Sequence, residues 1–192
     1  MADPSPRRAP LPGEIALVSG PARSGKSLWA ERLAIESGLE IVYIATGPCL
    51  PDDLAWQQRL DRHRRRRPGG WRSAEVGAGL PQALRHHSSA DALLLVDSLG
   101  TWLAHHLERD DRAWSNERDS LVQALAGCRA AVVLVAEEVG WGVVPPTAIG
   151  GLFRDRLGEL LETLEPLCCA SWLVIRGRAL DLRAIAEPVV PR

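Results

Sequence analysis

Five short apolar runs recur along the 192-residue chain, at residues 14–19 (Glu-Ile-Ala-Leu-Val-Ser), 40–46, 93–97, 131–136 and 171–175. A strand solvated on one face alternates polar and apolar positions. These runs do not, and an unbroken apolar stretch of this length suits a strand covered on both faces, as in a parallel sheet. Between the runs the apolar spacing becomes helical. Residues 28–37 place Ala30, Leu33 and Ala34 on one face, with Gly38 as a stop. Residues 98–109 and 116–128 read the same way, the second with Leu121, Val122 and Leu125 inward and Ser115 or Asn116 available as its cap. Residues 147–165 carry Ile149, Leu152, Phe153, Leu157, Leu160, Leu161 and Leu164 in one stripe, which predicts a core-facing helix.

Strand and helix alternate from end to end, which predicts a three-layer α/β fold with a mainly parallel sheet and right-handed crossovers. Ligands of such sheets gather at the carboxyl ends of the strands. Ser19, Thr46, Asp97, Glu137 and Arg176 stand at or just beyond those ends. Residues 14–192 read as one domain, a size that buries a substantial core. Residues 1–13, with four prolines and two arginines, read as a loose leader.

Composition narrows the classes. Hydrophobic residues make up 46% and charged residues 24%, as in an ordinary globular protein, and the formal net charge of −1 argues against a general nucleic-acid or membrane-surface binder. No apolar run reaches the ~18 residues of a spanning helix, and the expected compartment is the cytoplasm. Cys49, Cys128, Cys168 and Cys169 lack metal-ligand spacing and read as reduced, mostly buried thiols. The adjacent pairs His86-His87 and His105-His106 point their side chains apart on a helix, poor geometry for a shared metal.

The chemistry is concentrated after the first run. Gly20-Pro21-Ala22-Arg23-Ser24-Gly25-Lys26-Ser27 fits G-x-x-x-x-G-K-[ST] between a strand and a helix, the P-loop pattern, in which backbone N–H groups wrap the phosphates of a nucleotide. Lys26 is the single lysine among 23 basic residues. A compact ammonium on a flexible stem reaches the β and γ phosphates in a way a planar guanidinium does not. Ser27 would offer its hydroxyl to Mg²⁺, and the positive end of the following helix faces the phosphates. Asp97 closes the third apolar run and is the carboxylate best placed to hold that Mg²⁺; Glu137 and Glu138, ending the next run, are rivals.

A second dense feature is Arg59-Leu-Asp-Arg-His-Arg-Arg-Arg-Arg-Pro68, where Arg62, Arg64, Arg65, Arg66 and Arg67 surround His63. A nucleic-acid patch is one reading. With a near-neutral chain and a nucleotide site elsewhere, a phosphate-gathering segment is the better one. The surrounding guanidinium charge disfavours imidazolium, so His63 is expected neutral and nucleophilic near pH 7; a plain solvated histidine is the alternative.

Taken in order, Leu17-Val-Ser-Gly-Pro-Ala-Arg-Ser-Gly-Lys-Ser27, Val42-Tyr-Ile-Ala-Thr46, Arg59-Leu-Asp-Arg-His63 with Arg67-Pro68, Trp71-Arg-Ser-Ala-Glu75, Val96-Asp-Ser-Leu-Gly-Thr-Trp-Leu103, Glu138-Val-Gly-Trp-Gly-Val-Val-Pro145 and Phe153-Arg-Asp155 resemble the bifunctional adenosylcobinamide kinase/adenosylcobinamide-phosphate guanylyltransferases over about residues 14 to 178. The resemblance implies a three-layer P-loop NTPase fold and two reactions in cobalamin nucleotide-loop assembly. The first is phosphorylation of adenosylcobinamide with ATP or GTP and Mg²⁺. The second is transfer of GMP from GTP to adenosylcobinamide phosphate through a guanylyl-histidine, which falls on His63. Lys26 and the P-loop amides would hold phosphate, and Ser27 and Asp97 the Mg²⁺. Nucleotide contacts would fall on residues 20–27, on Ala45, Thr46 and Gly47, on Arg64, Arg65, Arg66 and Arg67, and on Glu75 and Asp97. The partners implied are a corrinoid and GTP or ATP, in a small homo-oligomer such as a trimer, with no nucleic acid and no membrane span.

This chain departs from the family pattern at Glu137 and Leu161, where asparagine is usual, at Arg176, where a small polar residue usually precedes Gly177, and at Ala55, where an acid is usual. Two other functions compete with the bifunctional enzyme. One is a P-loop small-molecule kinase with an inert His63, and the other a non-catalytic nucleotide-binding regulatory protein.

Overall fold

In the computed structural model, which describes residues 9–48 and 69–189, each of the five apolar runs is a strand and two further strands join them. They are β1 (Ile15–Gly20), β2 (Glu40–Ala45), β3 (Arg72–Glu75), β4 (Ala92–Asp97), β5 (Ala131–Glu137), β6 (Ala170–Ile175) and β7 (Arg178–Asp181). They form one sheet in the order β3-β2-β4-β5-β1-β6-β7. Every neighbouring pair is parallel except β6 and β7, which form an antiparallel hairpin. The described helices are α1 (Lys26–Glu36), α2 (Leu80–His86), α3 (Leu99–Ala104), α4 (Asp111–Ala126), α5 (Ala148–Leu164) and α6 (Leu182–Ile185).

The absence of alternation in the strands follows from the two cores. Ile15 and Leu17 of β1 join Leu94, Val96, Val132 and Leu134 on one face, under Leu121 and Leu125 of α4 and Leu157 and Leu160 of α5. Ala16 and Val18 join Leu93, Leu95, Val133 and Val135 on the other, under Ala30, Leu33 and Ala34 of α1. Burying each Leu or Val is worth roughly 1.5–3 kcal/mol, so neither face leaves a position for a polar residue at low cost. The fold is three-layer α/β, as the alternation of elements predicts.

Three expectations need correction. The helix expected at residues 116–128 begins five residues earlier, because Asp110, not Ser115 or Asn116, is its N-cap and accepts from Ala113 N–H at 2.8 Å. The helix expected over residues 98–109 is helical only to Ala104, and turns follow. The stripe of α5 is not wholly inward: Leu157, Leu160 and Leu164 are buried, whereas Ile149, in its first turn, is 54% exposed. Residues 9–13 are fastened to the domain, with Pro10 buried and Gly13 N–H donating to the Ala130 carbonyl at 3.1 Å. Cys128 and Cys168 are buried free thiols and Cys169 is exposed. Burial, aided by nearby Glu165, pushes the Cys168 thiol up to about 12.

Candidate active site at the carboxyl ends of the strands

β1 ends at Gly20, and residues 21–25 turn into α1, whose first residue is Lys26. Gly25 caps the helix at φ +102, a left-handed conformation that glycine adopts without steric cost. Ser24 is buried and its Oγ accepts from Lys26 N–H at 3.3 Å, while Lys26 Nζ donates to the Pro21 carbonyl at 3.3 Å. The loop is held from both sides. Glu138 N–H donates to the Gly20 carbonyl at 3.0 Å from the end of β5, and Gly177 N–H donates to the Ser24 carbonyl at 2.8 Å from the β6–β7 turn. A Cβ on Gly20 would lie 2.4 Å from the Val174 carbonyl oxygen and 2.7 Å from Ser24 Oγ, so the approach of β6 requires glycine there.

The neighbouring strand ends bring several expected residues into one row. Ala45 pairs in register with Glu75 on one side and with Asp97 on the other. Thr46 follows, fully buried, and its Oγ1 donates to the Ser98 carbonyl at 2.6 Å and accepts from Ser98 N–H at 2.9 Å. This ties β2 to the start of α3. Asp97 ends β4, two strand spacings from β1, about 10 Å laterally. Tyr43 O–H donates to Asp97 Oδ2 at 2.8 Å and so orients the carboxylate.

Of the rival carboxylates, Glu137 has a different task. Its Oε1 accepts from Ser98 Oγ at 2.7 Å and its Oε2 from Gly100 N–H at 3.1 Å, so both oxygens serve the first turn of α3. Glu138 is half-buried beside Gly20. Among the described residues no cluster of three or more His, Cys, Asp or Glu could hold a metal by itself. Mg²⁺ asks for less, one or two protein oxygens with substrate phosphates completing its octahedron, and a Ser27 hydroxyl with an Asp97 carboxylate is such a set.

His63 and Arg64, Arg65, Arg66 and Arg67 lie outside the described residues, as do Ala55 and Cys49. The paired histidines diverge. His105 Nε2 meets the Thr46 carbonyl at 2.9 Å, a contact that requires the proton on Nε2. His106 is 1% exposed, edge-on to Trp102, and its Nδ1 accepts from Arg109 Nε–H at 3.0 Å. Burial first, with Arg109 and His105 adding to it and Glu117 opposing, lowers its pKa below the ordinary 6.5. The Ala78 carbonyl is near enough to favour its protonated form, yet Nε2 has no partner of acceptable geometry; Trp102 Nε1–H donates to that carbonyl instead, at 3.1 Å. His86 is exposed, its ring edge-on to that of His87.

Sequence reasoning missed Tyr43, Thr101 and His105 as supports of the site. Tyr43 was visible as a hydroxyl inside an apolar run. Ser98-x-x-Thr101 was visible as a cap signature, and it forms a reciprocal capping box on α3.

A family profile described as cobinamide kinase/cobinamide phosphate guanyltransferase (CobU) matches residues 16–182. The chain is 37% identical over 174 residues to the bifunctional adenosylcobalamin biosynthesis protein CobP of Pseudomonas aeruginosa, covering 90% of this chain and 98% of that protein. It belongs to the cobinamide kinase/cobinamide phosphate guanyltransferase family. The bifunctional adenosylcobalamin biosynthesis protein CobU of Escherichia coli K12 is 33% identical over 183 residues, covering 88% of this chain and 99% of its own. A solved structure from Pyrococcus horikoshii OT3 shares the fold alone, at a TM-score of 0.57 and 11% identity over 94% of this chain and 93% of that one. Both activities are therefore written into the family to which the P-loop and the Asp97 row belong.

Proposed function

We propose that this protein phosphorylates the hydroxyl of adenosylcobinamide with ATP or GTP, and then transfers GMP from GTP onto adenosylcobinamide phosphate through a guanylyl group carried on His63. The observation that carries the reading is the P-loop between β1 and α1, with Asp97 ending a strand two positions away in the same sheet, in a chain of this family. A kinase alone, or a nucleotide-binding protein without catalysis, is not favoured by a family in which both activities are named.

In the kinase step the substrate hydroxyl oxygen gives up its proton to solvent and forms a bond to the γ-phosphorus while the bond to the β-phosphate oxygen breaks, releasing the nucleoside diphosphate. The P-loop amides and Lys26 hold the β and γ phosphates and neutralise charge as it moves to the leaving oxygen. Mg²⁺ held by Ser27 and Asp97 with the phosphates would add electrostatic stabilisation. The Tyr43 O–H holds Oδ2 of the Asp97 carboxylate in place. In the transferase step a ring nitrogen of His63 bonds to the α-phosphorus of GTP and pyrophosphate leaves. An oxygen of the corrinoid phosphate then bonds to that phosphorus as the P–N bond breaks, restoring the imidazole. Residues Ala45, Thr46, Gly47, Glu75 and Arg64 to Arg67 are the proposed guanine-nucleotide contacts, and a small homo-oligomer in the cytoplasm is the proposed setting.

The test follows the corrinoid. With Mg²⁺, ATP and then GTP, the wild type should form the phosphate and then the GDP derivative. His63→Ala should stop at the phosphate, and Lys26→Ala should lose the first step. Guanylylated product from His63→Ala at the wild-type rate would remove His63 from the mechanism.

A further inference from the structure

Among the described residues two non-glycine residues have positive φ, Arg23 at +60° and Arg176 at +50°. Both border one contact. Arg176 and Gly177, at +50° and +73°, are the two central residues of the β6–β7 hairpin, a type I′ turn that ordinarily takes Asn or Gly. The Gly177 N–H holds the Ser24 carbonyl at 2.8 Å, and a Cβ on Gly25 would sit 3.6 Å from Gly177 Cα. A disfavoured backbone maintained against the P-loop asks for a reason in the side chain.

Charge supplies one. The sheet order puts β5 and β4, with Glu137, Glu138 and Asp97, on one flank of the P-loop, and β6 with Arg176 on the other. Arg23 and Arg176 are exposed, and among the described residues neither forms a hydrogen bond or ion pair. Arg32, Arg109, Arg118, Arg154 and Arg156 all pair with carboxylates. A carboxylate flank suits a cation, and a guanidinium flank suits the polyphosphate that the same loop wraps, because the planar fork matches phosphate oxygens two at a time.

We propose that Arg176 is a phosphate-binding residue of the nucleotide site, gripping the polyphosphate from the flank of the P-loop opposite Asp97. Its role depends on the nucleotide-binding reading of the P-loop given above. The Gly177–Ser24 hydrogen bond fixes the turn against the loop, and the exposed Arg176 precedes that contact directly.

The variant Arg176→Gly separates side chain from backbone, since glycine relieves the positive φ and should leave the melting temperature unchanged or raised. Calorimetric titration with Mg²⁺ and GTP, and separately with Mg²⁺ and inorganic tripolyphosphate, is the measurement. Arg176→Gly should weaken both ligands by the same factor, roughly tenfold, and Arg176→Lys by less, because a point charge replaces a fork. Unchanged binding of both ligands by Arg176→Gly would overturn the proposal. So would weaker GTP with unchanged tripolyphosphate, which places the side chain on the nucleoside. A wild-type protein that binds neither ligand would overturn the nucleotide-site reading itself.

Discussion

Replacing Gly20 by alanine tests how the P-loop is held. The new Cβ would meet the Val174 carbonyl oxygen at 2.4 Å and Ser24 Oγ at 2.7 Å, where carbon and oxygen settle no closer than about 3.3 Å. Roughly 0.9 Å must be recovered, and the atom in the way is backbone of a strand paired to β1, with Ser19 opposite Leu173. Overpacking of this kind costs about 1–3 kcal/mol, and in a domain of this size each kcal/mol moves the melting temperature by roughly 2–4 °C. A fall of about 4–8 °C is expected from a mid-range cost of about 2 kcal/mol. Pushing Ser24 aside also loosens its bonds to Lys26 N–H and Gly177 N–H, so GTP affinity should fall at least about tenfold. Gly38→Ala is the control. Gly38 has φ +68 with no atom within 4 Å of the added Cβ, so it should cost only the backbone strain of about 1 kcal/mol and leave GTP binding unchanged. Thermal unfolding followed by far-UV circular dichroism, with calorimetric GTP titration, reads both effects. Wild-type melting and wild-type affinity in Gly20→Ala would refute the close approach of β6 to the loop.

Glu137→Ala should lose about 1.5–3 kcal/mol in urea unfolding, because Ser98 Oγ and Gly100 N–H lose a charged acceptor, while the Mg²⁺ dependence of activity stays as in the wild type. A raised Mg²⁺ requirement in Glu137→Ala would move that carboxylate from the helix cap to the metal. His106 should make stability depend on pH: its folded pKa lies below 6.5, so its contribution is complete above pH 6.5 and declines as pH falls below that value. The urea midpoint of the wild type should drop more steeply between pH 7 and pH 5 than that of His106→Leu, and parallel profiles would contradict a buried neutral imidazole.

Most of the sheet was legible because its central strands are covered on both faces, which leaves unbroken apolar runs such as Ala131–Glu137. The edge strands escaped for the opposite reason. Arg72–Glu75 and Arg178–Asp181 have neighbours on one side only and bury none of their residues fully, so neither carries an unbroken apolar run. Asp110 was passed over as a cap because the first ten residues of α4, Asp111 to Ser120, are mostly polar, and helical spacing is clear only from Leu121 onward. The P-loop was legible outright, since glycine, lysine and serine at fixed spacing serve a backbone geometry. Its supports were not: Tyr43, His105 and Gly177 reach the site through contacts that join distant parts of the chain, and no spacing in the sequence encodes them.

His63 is the proposed carrier of GMP. Intact-protein mass spectrometry after incubation with GTP and Mg²⁺, beside His63→Ala and an ATP control, reads that role on the protein itself. A guanylyl-mass adduct should form on the wild type, be lost in acid, be absent from His63→Ala and not form with ATP. Binding of GTP without any adduct, or an adduct that persists in His63→Ala, would contradict that role.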